Sequence, residues 1–208
     1  IPCLLIANGG LVKTVQFKSQ KYLGDPINAI KIFNEKKADE LIVLDIDATK
    51  KSIKPNFNLI KKLAAECRMP LCYGGGISTV EEAEMLVDIG VEKVAISSAV
   101  IENLLLLKKL VSAVGSQSVV VVLDLLEEKN FLSKKYLIQT KNGTKTHDDD
   151  LFSVIKKFQD LGVGEIVLNS IDRDGMMQGY DFDLVDKIKP LINVPLTILG
   201  GAGSLEDI

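Results

Sequence analysis

The chain has 208 residues, 47% of them hydrophobic, enough for one sizeable core. Basic and acidic residues number 25 and 28, a formal net charge of −3 that gives no electrostatic support to a nucleic-acid or anionic-membrane surface. The longest apolar runs are about six residues against the roughly 20 that a membrane span needs, and the opening Ile1-Pro2-Cys3-Leu4-Leu5-Ile6 has no basic flank, so it reads as a strand and not as a signal peptide.

Short apolar runs alternate with longer amphipathic stretches. The predicted strands are 1–6, 40–45, 70–73, 93–97, 118–124, 164–169 and 195–199. Runs such as Leu41-Ile42-Val43-Leu44 and Val119-Val120-Val121-Val122-Leu123 are continuous and do not alternate, the pattern of parallel strands covered on both faces. Asp25-Pro26 offers an N-cap and a proline at the first helical position before 27–33. Ser78-Thr79-Val80-Glu81-Glu82 offers a cap and an acidic first turn before 80–90. Tyr136–Thr140, Lys141-Asn142-Gly143 and Thr144–Thr146 read as a hairpin after the fifth strand, overhanging the face where that strand ends.

No linker interrupts the series, so a single domain is expected over 1–208, either a (β/α) barrel or a doubly wound sheet. Self-comparison favours the barrel. Residues 38–50 align with 163–175, and 69–76 with 194–201, both at a shift of 125. Two separated segments sharing one offset point to a (β/α)8 TIM barrel made of two half-barrels, about 1–115 and 116–208. Such barrels run to about 250 residues, so the eighth strand and its helices are expected to lie outside this sequence.

In α/β barrels the reaction site lies where the strands end. Two glycine clusters stand there, Gly74-Gly75-Gly76 and Gly200-Gly201-Ala202-Gly203, each before a helix start. Backbone N–H groups at a helix start can cradle phosphate, although one such cluster alone is also what a tight turn requires. Two clusters related by the repeat fit a small substrate phosphorylated at both ends. Asp45, Asp124 and Asp174 lie at or just past strand ends, as a general acid or base would. Asp124 closes an apolar strand, a costly place for a charge without a task. Asp174 also fits a simple ion-paired loop. Lys13 in the first loop is a possible acid or phosphate partner, or only a solvated lysine; His147, the one histidine, sits in an Asp-rich loop and is set aside. Cys3, Cys67 and Cys72 lack metal-ligand spacing and suit a reducing cytoplasm as small apolar residues. No metal or cofactor is indicated.

The opposite end of the strands carries Glu40, Lys93 and Glu165, each first in its strand. Charges there are commonly solvated rim residues. Two acids and a base on alternate strands also suit a salt-bridged ring closing the bottom of the barrel.

Taken together, Ile1-Pro2-Cys3-Leu4, Gly24-Asp25-Pro26, Leu44-Asp45-Ile46, Gly74-Gly75-Gly76-Ile77, Gly115-Ser116-Gln117, Ser170-Ile171-Asp172-Arg173-Asp174-Gly175, Gly179-Tyr180-Asp181 and Gly200-Gly201-Ala202-Gly203 make the chain resemble the cyclase subunit of imidazole glycerol phosphate synthase over essentially its whole length. The resemblance implies a glutaminase partner, HisH-like, docked on the N-terminal face of the barrel. Ammonia from it would pass through the barrel to a doubly phosphorylated substrate. Asp124 and Lys13 match catalytic positions of that family; Gly75, Gly76, Ser98, Asp174, Gly175 and Gly201 match its phosphate and substrate positions, beside Asp45 and Ser97. Glu40, Lys93 and Glu165 match its ammonia gate, whose fourth member, an arginine, falls just before Ile1.

The departures are specific. Leu5 stands where the family has its first catalytic aspartate, the loop Ala7–Leu11 lacks the usual acid and arginine, Ser97 replaces an asparagine, and Asn169 replaces a threonine. Leucine cannot transfer a proton, so two-carboxylate cyclisation should be crippled. The opening is similar to paralogues associated with surface-polysaccharide biosynthesis, which support amidation of a sugar carboxylate. Three readings result: such a paralogue, the histidine-pathway cyclase itself, or a barrel that only scaffolds a glutaminase.

Overall fold

The computed structural model describes residues 1–130 and 133–207. In chain order the elements are β1 (Cys3–Ala7), β2 (Gly10–Val15), β3 (Lys18–Gly24), α1 (Pro26–Glu35), β4 (Leu41–Asp45), α2 (Phe57–Glu66), β5 (Leu71–Gly74), α3 (Val80–Asp88), β6 (Lys93–Ile96), α4 (Ser98–Glu102), α5 (Leu104–Val114), β7 (Val119–Asn130), β8 (Ser133–Thr140), β9 (Lys145–His147), α6 (Leu151–Asp160), β10 (Glu165–Ser170), α7 (Phe182–Ile188) and β11 (Leu196–Leu199).

Seven of these strands run parallel in the order β11-β10-β7-β6-β5-β4-β1. They are the seven expected from the apolar runs, and together they form the curled sheet of a (β/α)8 barrel. The runs are apolar because the inner strands bury both faces, while β11, at the edge, is half-buried along its length. Outward residues such as Leu41, Val43, Leu71, Val94, Val121, Leu123, Ile166 and Leu168 pack under the helices. Inward residues Ile42, Cys72, Ala95, Val120, Val122 and Val167, with Cys3, Leu44 and Leu199 beside them, fill the lumen.

The helix starts obey the local chemistry. Asp25 accepts from the Ile27 N–H with Pro26 next to it, and Thr79 and Glu82 form a reciprocal capping box. The repeat is visible in geometry as well. Gly75 and Gly200, 125 positions apart, both adopt positive φ (122° and 92°), and a Cβ on either would come within 2.5 and 2.6 Å of the carbonyl oxygens of Asp45 and Ser170.

Two hairpins decorate the ends of the parallel strands. The one expected near 136–146 is formed by β8 and β9 around Lys141-Asn142-Gly143, and β8 also pairs back on a lengthened β7. The other, β2–β3, has no counterpart among the predicted elements. Its turn is made by Gln16 and Phe17, both at positive φ (51° and 59°) without the usual glycine or asparagine, and six of the seven residues of β3 are exposed.

Candidate functional site

A cavity of about 1230 Å³ runs along the lumen from the strand starts, where Pro2, Lys36 and Asp39 line it, to the C-terminal ends of the parallel strands, where it is lined among others by Leu5, Asp45, Gly75, Gly76, Ser97, Ser98, Asp124, Asn169, Asp174 and Gly201. Of the candidate site residues at this end, all but Lys13 and Gly175 are brought to it.

Lys13 is exposed on β2. Alternation along that strand turns Val12 and Thr14 inward and sends Lys13 out, so the catalytic role expected of it has no geometric support in this structure. Gly175 is likewise exposed, and its place beside Thr14 is a backbone contact: a Cβ there would lie 2.3 Å from the Thr14 carbonyl oxygen. The other glycines have packing reasons too. A Cβ on Gly76 would lie 2.5 Å from the Ile53 carbonyl, and one on Gly201 would lie 2.0 Å from that of Gly179.

The β2–β3 hairpin reaches across the cavity to the loop after β10. Thr14 Oγ1 and the Phe17 N–H donate to Asp174 Oδ2 at 2.7 and 3.0 Å, and the Gln16 N–H donates to the Asp174 carbonyl at 2.9 Å. Asp174 is therefore occupied as a clamp. From the other side, the β8–β9 turn brings Lys141 and Asn142 to the cavity, the Lys141 N–H donating to Ser98 Oγ at 3.0 Å. Ser97 Oγ is buried and has no partner among the described residues. Asp45 caps its own loop, Oδ1 accepting from the N–H groups of Asp47 and Ala48, each at 3.1 Å. Burial raises its pKa, opposed by those two hydrogen bonds.

Asp124 is different. It is half-buried, and Asn169 Nδ2 donates to its Oδ1 at 2.9 Å. Burial pushes its pKa up to about 7, Asn169 opposes the rise and the charge of Asp174 adds to it. A carboxyl that holds its proton near neutrality, in a cavity, is suited to exchange that proton with a bound molecule. The pairing with Asn169 was not visible in the sequence; it follows from the register of β7 and β10, in which the two residues are direct partners. On the other side of the lumen, the register partners Leu5 and Leu44 face the same cavity.

At the opposite end of the lumen, Lys93 Nζ lies 2.9 Å from both Glu40 Oε2 and Glu165 Oε2. Glu165 is the most buried of the three, and its second oxygen accepts from Thr197 Oγ1 at 2.7 Å. Burial disfavours the Lys93 charge, but hydrogen bonds and attraction from the two glutamates outweigh it and raise its pKa. The lumen between cluster and cavity contains two thiols. Burial pushes Cys3 up to about 12, with Asp174 and Asp124 adding to it, and raises Cys72 as well, so both stay protonated near neutral pH. Among the described residues no group of three His, Cys, Asp or Glu is arranged to hold a metal ion, and no helix is long and apolar enough to cross a membrane.

The whole chain, residues 1–208, matches the family model described as histidine biosynthesis protein. It is 55% identical over 208 residues to a Vibrio vulnificus protein and 52% identical over 208 residues to one from Leptospira borgpetersenii, both provisionally named as imidazole glycerol phosphate synthase subunits of the HisF type. These matches take in all of this chain and 79% and 81% of the relatives. It is also 39% identical to the imidazole glycerol phosphate synthase subunit HisF of Saccharolobus solfataricus over 206 residues, 99% of this chain and 80% of that protein. Matched along its whole length by the model and by such relatives, the chain belongs to the HisF family of imidazole glycerol phosphate synthase subunits.

Proposed function

We propose that this HisF-family chain accepts ammonia from a HisH-like glutaminase docked at the N-terminal mouth of its strands, and that it serves amidation of a sugar in surface-polysaccharide biosynthesis and not closure of the imidazole ring. The observation that carries the second half is the Leu5–Leu44 pair. Where cyclisation in this family calls on two facing acids, Asp124 here stands opposite an apolar wall, and the other aspartates of the cavity, Asp45 and Asp174, are already engaged by Asp47 and Ala48 and by Thr14 and Phe17. The opening residues 4–14, similar to paralogues linked to polysaccharide genes, supply the substrate class.

The Lys93 cluster supports the ammonia route. A lysine held by two carboxylates is a poor source of stability compared with apolar packing, which leaves conduction as a reason to keep it. Glycine turns on both sides of the cavity, around Gly75/Gly76 with Ser98 and around Gly201, support a phosphorylated small-molecule substrate.

The histidine-pathway reading retains one argument, the presence of Asp124 and Asp174 at the cavity. Single-turnover cyclisation of the histidine-pathway substrate, with free ammonia and with glutamine plus the partner, decides between them. The expected rate is about 10²–10⁴-fold below that of a two-acid relative. Comparable rates would overturn the proposal in favour of histidine biosynthesis.

A further inference from the structure

The two sides of the cavity floor use the same backbone arrangement for opposite chemistry. Leu5 on β1 is the register partner of Leu44 on β4, and Asp124 on β7 is the register partner of Asn169 on β10. Leu44 and Asn169 are 125 positions apart, so they are equivalent under the internal repeat. The same position beside the cavity therefore carries an amide only where its neighbour is an acid.

We propose that Asn169 is a positioning residue for Asp124: its amide holds Oδ1 and leaves Oδ2 as the single carboxylate oxygen presented to a bound molecule. This deepens the reading of the cavity as the reaction site and rests on it. The asparagine turns its NH₂ toward Asp124 Oδ1, the one arrangement open to it once Asp124 is ionised and can only accept. Among the described residues, Asn169 supplies the one hydrogen bond to the Asp124 side chain.

The other groups around Asp124 cannot replace it. Asp174, on the loop after β10, is a like charge already held by Thr14 and Phe17. Cys3, on β1, is a neutral thiol. Gln139, the β8 register partner of Asp124, directs its amide nitrogen to Thr146 Oγ1 at 3.0 Å, and Leu5, Leu44, Val122 and Leu199 are apolar. Without the amide, the carboxyl would be free to rotate and would lose the partner that favours its charged form.

The test is a titration of the full chain labelled with carboxyl-¹³C aspartate, the Asp124 signal being assigned by its loss in Asp124→Asn. In Asn169→Leu, which copies the first-half residue, the Asp124 midpoint should rise by about one pH unit. In Asn169→Ser, a smaller change, it should rise too. In the unaltered protein, the Asn169 side-chain amide protons should shift with the same midpoint as Asp124. A folded Asn169→Leu protein with an unmoved midpoint would overturn the proposal, even if it melted lower, because a purely structural role changes melting alone. Flat Asn169 amide signals across the Asp124 titration would overturn it without any variant. None of these readouts uses ammonia, substrate or glutaminase, so a failure here leaves the proposed function standing, and a failed cyclisation assay leaves this pair standing.

Discussion

The two halves of the barrel can be compared at three levels, at positions related by the 125-residue repeat or by strand register, and they differ at two of them. At the cavity, the first half presents Leu5 and Leu44 and the second Asp124 and Asn169. At the turns, Gly75 and Gly200 keep the same close approach to the preceding strand end. At the opposite mouth, Glu40 and Glu165 keep their charge, but Cys72 in the first half stands where Thr197 stands in the second. Backbone geometry is thus held in common while the acid–amide pair on the cavity floor belongs to the second half. A barrel can be built twice over and still carry its proton chemistry on one side.

The comparison breaks most sharply at Leu5. If its apolar side chain is what removes cyclisation, Leu5→Asp should raise the single-turnover rate with the histidine-pathway substrate by about 10²–10⁴-fold, roughly 3–5 kcal/mol of barrel-top stabilisation of the transition state. No gain in a variant whose circular dichroism matches the parent would cut the link between this position and the reaction.

Next in size is the charged mouth. Lys93→Met leaves Glu40 and Glu165 facing each other across a partly buried space, and should cost about 2–4 kcal/mol at pH 7 in urea unfolding. Glutamine-dependent ammonia delivery should fall while use of added ammonia is kept. Equal losses with both nitrogen sources would assign Lys93 to the barrel's integrity and remove it from the ammonia route.

What could be read in advance follows from where the information resides. The parallel strands were legible because burial on both faces demands unbroken apolar runs, and α1 and α3 because their caps are local. The β2–β3 hairpin was not, since its turn residues Gln16 and Phe17 carry no glycine or asparagine signal and Lys18–Gly24 bury almost nothing. Missing that hairpin also misplaced Lys13, whose direction is set by alternation along β2. The Asp124–Asn169 pair needed the register between strands 45 residues apart, which no local pattern encodes. The β8–β9 hairpin was read from its Asn142-Gly143 turn, whereas Asn8-Gly9, which turns β1 into β2 with both residues at positive φ, was not, because the strands after it bury too little to show as apolar runs.

Asp124 sharpens the comparison through pH. Its raised pKa means that the fold favours the neutral acid: the stability this contributes is complete below about pH 4 and is lost progressively as pH rises to about 7. An asparagine there is neutral throughout. Asp124→Asn should therefore match the parent in melting at pH 4 and exceed it by about 1–3 kcal/mol at pH 8, with some of the full effect lost to solvent that reaches the cavity. The equivalent Leu5→Asn in the first half should show no such pH dependence, since it replaces no titrating group. A pH-independent difference for Asp124→Asn would mean that Asp124 titrates alike in the folded and unfolded chain.

The smallest expected effect is at Thr197, and it follows from how the two glutamates share one lysine. Glu40 turns both oxygens to Lys93, each 2.9 Å from Nζ. Glu165 gives Lys93 only Oε2 and spends Oε1 on the Thr197 hydroxyl. Thr197→Val keeps the shape and removes the hydroxyl, leaving Oε1 without its donor. Glu165 then has a way to recover: it can turn and chelate Lys93 as Glu40 does. The loss should accordingly be about 1 kcal/mol or less, below the usual penalty for an orphaned buried acceptor. In a Lys93→Met background that recovery is closed, and the same Thr197→Val change should cost more, about 1–3 kcal/mol. A double-mutant cycle by urea unfolding reads the difference directly. Equal costs in both backgrounds would mean that Glu165 cannot turn, and that the asymmetry between the two glutamates is set by packing around β10 and not by competition for Lys93.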